Sequence, residues 1–115
     1  MRLLYAFLFA AMTAVGFGAS PEPMRLDEAL RKHLLLKAPR PEYPYEARAR
    51  RKTGSGVYEL KFYYETGHLR EIHVVKGIED LSLDVYAMAT LKVWRAKPRS
   101  IHALLVPVTF TFSRY

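Results

Sequence analysis

Four histidines give this chain its most obvious chemical reach, and their spacing works against them. His68 and His73 stand five positions apart on one arm of an expected hairpin, so on a regular strand they face opposite sides of the sheet. His33 and His102 fall in other elements, with no carboxylate at ligand spacing, whereas a zinc-type centre needs three or four such groups converging. Cysteine is absent, which removes thiolate ligands, thiol nucleophiles and disulfides together. No serine sits in a nucleophile-elbow context, and no glycine-rich run is suited to cradling a phosphate. Glu59 and Glu71 can approach each other across the hairpin, but on its wet face, and an acid–base pair needs burial or close mutual proximity to shift a pKa. A surface charge pattern with Lys61 and Arg70 is the simpler account. No catalytic residue, metal ligand or cofactor site is expected, and the chain reads as a binding module rather than an enzyme.

The chemistry that remains belongs to the backbone. The last strand, read at 104–112, alternates Leu104, Val106, Val108, Phe110 and Phe112 inward with Leu105, Pro107, Thr109 and Thr111 outward. Proline inside a strand is confined to edges or bulges, so Pro107 predicts a free side. Successive residues point their backbone donors to opposite edges. Leu105, Pro107 and Thr109 therefore share one edge, while Val106, Val108 and Phe110 share the other. If the Val106 set pairs into the sheet, Leu105 and Thr109 offer donors to a partner and Pro107 offers none.

The elements that must position this edge follow from periodicity and punctuation. Leu26, Leu30 and His33/Leu34 recur at helical spacing, with Asp27-Glu28 early and Arg31-Lys32 late, which suits the helix dipole. A short helix is expected near 25–36, stopped by Pro39 and Pro41. Pro44 sits where a helix tolerates proline, in its first turn, and Tyr45 to Lys52 continues it until Thr53-Gly54-Ser55-Gly56. Tyr58, Leu60, Phe62 and Tyr64 then alternate with Glu59, Lys61 and Tyr63, a strand with one buried face. Glu65-Thr66-Gly67-His68 turns the chain, with Gly67 supplying a positive φ. Leu69, Ile72 and Val74 break strict alternation by one residue, the signature of a β-bulge or of pairing that starts at Ile72. After Gly77, Asp80 or Ser82 caps a helix whose stripe is Leu83, Ala87, Leu91 and Trp94, and Pro98 closes it. Trp94 on that stripe reads as core.

Length and charge set the outer bounds. At 115 residues there is room for one domain. Residues 1–20 resemble a targeting segment: Arg2, an apolar run from Leu3 to Val15 broken by Thr13, then Gly16-Phe17-Gly18-Ala19-Ser20. Either a cleaved signal peptide or a membrane anchor through residues 3–19 exports the rest, and the missing cysteines suit a bacterial periplasm. Residues 25–52 hold nine basic side chains against four acidic ones, most of the formal charge of +7. After an export segment this argues against nucleic acid and reads as a solvated helix face, with an acidic partner or anionic lipid as alternatives.

Seven marks stand in order from about Pro39 to Phe112. They are Pro41-Glu42-Tyr43-Pro44-Tyr45-Glu46-Ala47, Gly56, the alternation Tyr58 to Tyr64, Gly67 with Leu69, Ile72 and Val74, Leu83-Asp84, Trp94-Arg95-Ala96-Lys97-Pro98, and Val106 to Phe112. This succession resembles the C-terminal domain family of TonB, the periplasmic energy transducer. The resemblance implies an α+β fold in the order α-β-β-α-β, a three-stranded antiparallel sheet with helices at 43–52 and 81–95 on its apolar face. It implies a domain at 39–115 behind a spacer with a helix at 21–38. It further implies a periplasmic module that engages outer-membrane transport receptors by strand addition beside residues 104–112. The partner-binding residues would be Arg40, Tyr43, Leu105, Pro107, Thr109 and Thr111, and the partner an extended peptide from a receptor's N-terminal plug region. An ExbB–ExbD-type inner-membrane motor would supply the pull if the chain is anchored, and a weak homodimer is compatible. Ala96 replaces the usual aromatic, the hairpin turn is about a residue short, and residues 99–103 form a brief link. From Pro21 to Pro41 the chain reaches at most roughly 70 Å fully extended, short for a transducing arm. That departure sustains an alternative: a stand-alone envelope interaction domain that kept the fold without motor coupling.

Overall fold

Tyr58, Leu60 and Phe62 turn one face of a nine-residue strand inward and are 0–4% exposed, while Val57, Glu59 and Lys61 form its outer face. This strand organises the computed structural model, which describes residues 22–111. The targeting segment expected at 1–20 and the inward position expected of Phe112 lie outside the described residues. In order the elements are β1 (Met24–Arg25), α1 (Leu26–Arg31), β2 (Leu35–Lys37), α2 (Tyr45–Ala49), β3 (Gly54–Phe62), β4 (Leu69–Lys76), α3 (Leu81–Leu91), β5 (Arg95–Ala96) and β6 (Ala103–Phe110). β3 pairs antiparallel with β4 on one side and with β6 on the other, and the sheet order is β1-β6-β3-β4.

Leu104, Val106, Val108 and Phe110 continue the apolar face across β6, and Leu83, Ala87 and Leu91 of α3 and Ala47 of α2 cover it. Each fully buried leucine in that layer contributes about 2 kcal/mol of transfer free energy. The expected α+β class and the helix-covered antiparallel sheet are as observed. The strand count differs, because a fourth strand, β1, lies parallel beside Leu104 and Leu105. A separate two-stranded sheet pairs β2 with β5. Both additions draw on residues upstream of Pro39, where two- and three-residue strands leave no period to read.

All three helices are shorter than expected. α1 ends at Arg31 instead of 36, because His33 takes a φ of +56°. Its neighbours close the end with Leu34 N–H donating to Ala29 O (2.9 Å) and His33 N–H to Leu30 O (3.1 Å). That is the paired bonding of a Schellman motif. α2 ends the same way before its glycines: Arg51 has φ +58°, with Lys52 N–H on Ala47 O and Arg51 N–H on Arg48 O. A positive φ is uncommon outside glycine, so nothing in these charged residues announces the stop. α3 ends at Leu91, yet Trp94 stays 5% exposed and donates from Nε1 to Pro39 O at 2.9 Å. Asp80 is the cap, accepting from Leu83 N–H at 3.1 Å.

The break in alternation on β4 is a bulge: Lys61 faces Glu71 and Phe62 faces Leu69, leaving Arg70 extra. Gly67 carries φ +84°, and its carbonyl accepts from Ala96 N–H at 2.9 Å, docking the hairpin turn on β5. Ala96 itself is completely buried.

Candidate functional site

The Phe62 N–H donates to His102 O at 3.0 Å, and this bond sets the phase of the β3–β6 ladder. With Leu60 facing Leu104, Tyr58 facing Val106 and Gly56 facing Val108, the even residues of β6 direct donors and acceptors at β3. The odd residues Leu105, Pro107 and Thr109 direct theirs at the opposite edge, and Thr111 continues that phase just past the strand. The structure therefore brings four of the six sequence-predicted site residues onto one edge. Leu105 is half-buried there, and Pro107, Thr109 and Thr111 are exposed.

That edge is partly occupied. β1 covers it at Leu104 and Leu105, after which the chain leaves as α1. On the outer face a groove of about 560 Å³ is lined by Arg25, Leu26, Asp27, Leu30, Val57, Leu105 and Pro107. Its walls are mainly aliphatic, and its two charges pair across 3.3 Å, from Arg25 Nε to Asp27 Oδ1. Sequence reasoning missed the contributions of Met24, Arg25, Leu26 and Leu30. Leu26 and Leu30 carried a helical signal, but nothing pointed to the sheet edge they adjoin.

Tyr43 packs at the far end of the same strand, its ring centroid 5.7 Å from that of Phe110. Its hydroxyl donates to Lys52 O, tying the entry of α2 to its exit. Arg40 is exposed in the connection between β2 and α2. The structure does not place it on the β6 edge with the other four.

The groups with chemical potential are dispersed. His33 closes α1, His73 faces Glu59, His68 bridges to Arg95, and His102 stacks on Tyr64 with centroids 4.1 Å apart and rings within 4° of parallel. Among the described residues no group of three or more potential ligands converges on a metal position. Lys61 Nζ lies 3.7 Å from Glu71 Oε2 on the outer face, the cross-strand charge pattern expected there. Burial, then the hydrogen bond to Asp84, pushes the Tyr58 hydroxyl well above its ordinary pKa. Asp80 is held below the usual carboxylate range by Ser82 and by the Leu83 N–H. Both groups tie α3 to the sheet and its cap, away from the β6 edge.

Comparison with known proteins fits this geometry. Residues 39–114 match the family described as the Gram-negative bacterial TonB protein C-terminal, and the chain belongs to that family. The solution NMR structure of the Pseudomonas aeruginosa TonB C-terminal domain is similar in fold, with a TM-score of 0.59 at 20% identity, over 70% of this chain and 87% of that one. No curated protein matches the chain. β1, α1 and β2 all precede the residues matched by the family.

Proposed function

From membership of the TonB C-terminal family, we propose that this chain is a periplasmic protein-binding module that engages outer-membrane transport receptors. An extended segment of a receptor adds as a strand beside β6, contributing to energy-coupled transport. The observation that carries this reading is the β6 edge at Pro107–Thr111, where alternation leaves the Thr109 donor facing outward with no strand of the described residues beside it. Backbone bonds along the edge supply affinity, and alternate side chains of the partner supply specificity. Those that point to the outer face enter the aliphatic groove beside Val57 and Pro107. Tyr43 adjoins this strand through its packing on Phe110, whereas Arg40, off the β6 edge, is carried into this reading by the family resemblance alone.

Isotope-labelled protein titrated with a peptide from the N-terminal plug region of an outer-membrane receptor tests the assignment. The amide resonances of Leu105, Thr109 and Thr111 should shift most, ahead of those on β4. Shifts confined to β4 or to α3 would place binding elsewhere and overturn it.

A second reading is a stand-alone envelope interaction domain without motor coupling. It is favoured by one observation: residues 24–37 are folded onto the domain through β1, the buried Ala29 and β2. They contribute no free span to an arm. Co-purification of the chain with an ExbB–ExbD-type complex would decide against it.

A further inference from the structure

The β6 edge is capped at one end by the chain's own backbone. Met24 pairs with Leu104 and Arg25 with Leu105, in parallel. Since only odd residues of β6 face that edge, two consecutive parallel pairings set the Met24 carbonyl against the Leu105 N–H and the Leu26 N–H against the Leu105 carbonyl. A partner strand that reached Leu105 would need those same two groups.

The segment behind the cap is held more firmly than the cap itself. Ala29 is completely buried, α1 is closed by its two terminal bonds, Leu35 pairs with Ala96, and Lys97 N–H donates to Leu34 O at 2.8 Å. β1 itself has only two residues, with Met24 half-buried and Arg25 exposed. Such a contact can open without unfolding what anchors it, as the least stable parts of folds do.

We propose that Met24 and Arg25 form a built-in, displaceable cap on the docking edge. It fills the Leu105 position as a partner strand would. First contact is confined to Pro107–Thr111, and a partner displaces the cap to gain the remaining bonds. This rests on the strand-addition reading above and adds an internal competitor to it.

The test uses the full chain and its Met24→Pro variant, which deletes the Met24 N–H that the same two pairings set against the Ala103 carbonyl, so the cap loses one bond while the two at Leu105 and the start of α1 at Leu26 are kept. Two measurements are made on each protein: amide exchange by NMR, and titration with the receptor plug peptide. The Tyr58 and Val106 amides, inside the β3–β6 ladder, report that both proteins are folded. In the parent, the Leu105 amide should exchange roughly ten-fold or more slowly than that of Thr109; in the variant that gap should narrow about five-fold, because the cap opens more often. The variant should bind the peptide about five-fold more tightly, because the cap it must displace is held by one ordinary hydrogen bond fewer. A Leu105 amide as fast as Thr109 in the parent overturns the cap. So does equal peptide affinity in parent and variant, both folded. Peptide binding to neither protein overturns the strand-addition reading, and this inference with it.

Discussion

Thr109→Pro separates the two edges of β6 with one atom. Thr109 faces Ser55 in a wide pair of the β3–β6 ladder, so its N–H points away from β3 and makes no ladder bond to lose. Its side chain is exposed, and Val108 before it is already extended, as a residue preceding proline prefers. The folded protein should therefore lose no more than about 0.5 kcal/mol, the usual scale for exposed substitutions. A docked strand, however, would meet two missing donors on this edge, at residues 107 and 109. At about 1 kcal/mol per hydrogen bond, affinity should fall roughly five-fold. Val108→Pro is the control. Val108 faces Gly56 in a narrow pair, so proline there deletes a ladder donor and strands a carbonyl, costing about 2–3 kcal/mol. Urea denaturation measures the stabilities, and fluorescence anisotropy of a labelled receptor plug peptide measures binding. If Thr109→Pro destabilises as much as Val108→Pro, the phase assigned to β6 is wrong. If Thr109→Pro is folded and binds as the parent does, this edge is not the docking surface.

Other perturbations test the framework behind the edge. Asp84 accepts from the Tyr58 hydroxyl and from Ile78 N–H, the latter at 3.1 Å, so Asp84→Ala should cost about 3 kcal/mol and Tyr58→Phe about 1.5. The double mutant should fall short of their sum by at least ~1 kcal/mol, and additivity within ~0.5 kcal/mol would show that the two side chains act independently. A Cβ at Gly67 would lie 1.9 Å from Ala96 O, at a φ of +84°. Gly67→Ala should thus destabilise by about 3 kcal/mol or more, whereas Gly77→Ala, whose new Cβ meets nothing nearer than 3.6 Å, should stay within about 0.5 kcal/mol in the same urea assay. Tyr58 is held neutral in the folded state, its pKa raised above the ordinary 10.0. The stability it confers is complete below that pH and is lost as pH rises past it. Denaturation between about pH 9 and 11 should show a steeper decline for the parent than for Tyr58→Phe, and parallel curves would remove Tyr58 from the account.

Much of this framework was legible because it rests on periodicity. Tyr58-Leu60-Phe62 and Leu104-Val106-Val108-Phe110 alternate because β3 and β6 bury one face only. The slip at Leu69–Ile72 read as a bulge because an extra residue must shift every later side chain to the other face. Leu83, Ala87, Leu91 and Trp94 kept their stripe even though α3 stops at Leu91, since the turns after it still carry Trp94 inward. The helix ends were not legible, because His33 and Arg51 take the left-handed turn that glycine normally marks. Of the candidate site, Pro107 revealed the edge because a missing donor is a chemical fact of the residue. β1 was invisible, being a two-residue strand with no period, specified only by where α1 and β2 anchor it. Tyr43 and Arg40 rested on resemblance alone, and no local pattern foretold the bond from the Tyr43 hydroxyl to the Lys52 carbonyl.

The two edges of the sheet answer the hazard of unpaired backbone in different ways. Along β4, Arg70, Glu71, His73 and Lys76 are exposed, and register shifts interrupt both ends of its pairing with β3. Charge and bulges of that kind discourage any further strand permanently. The β6 edge has neither device. Leu105, Pro107, Thr109 and Thr111 carry no charge, and its ladder to β3 runs from Ala103 to Phe110 without a shift. What guards it is one proline and two residues of β1, both confined to the half nearer Leu105. A sheet that only needed protection would serve itself better with lysines than with a two-residue strand. An uncharged, regular edge left open beyond Leu105 is what strand addition requires, because the partner needs straight, unrepelled backbone.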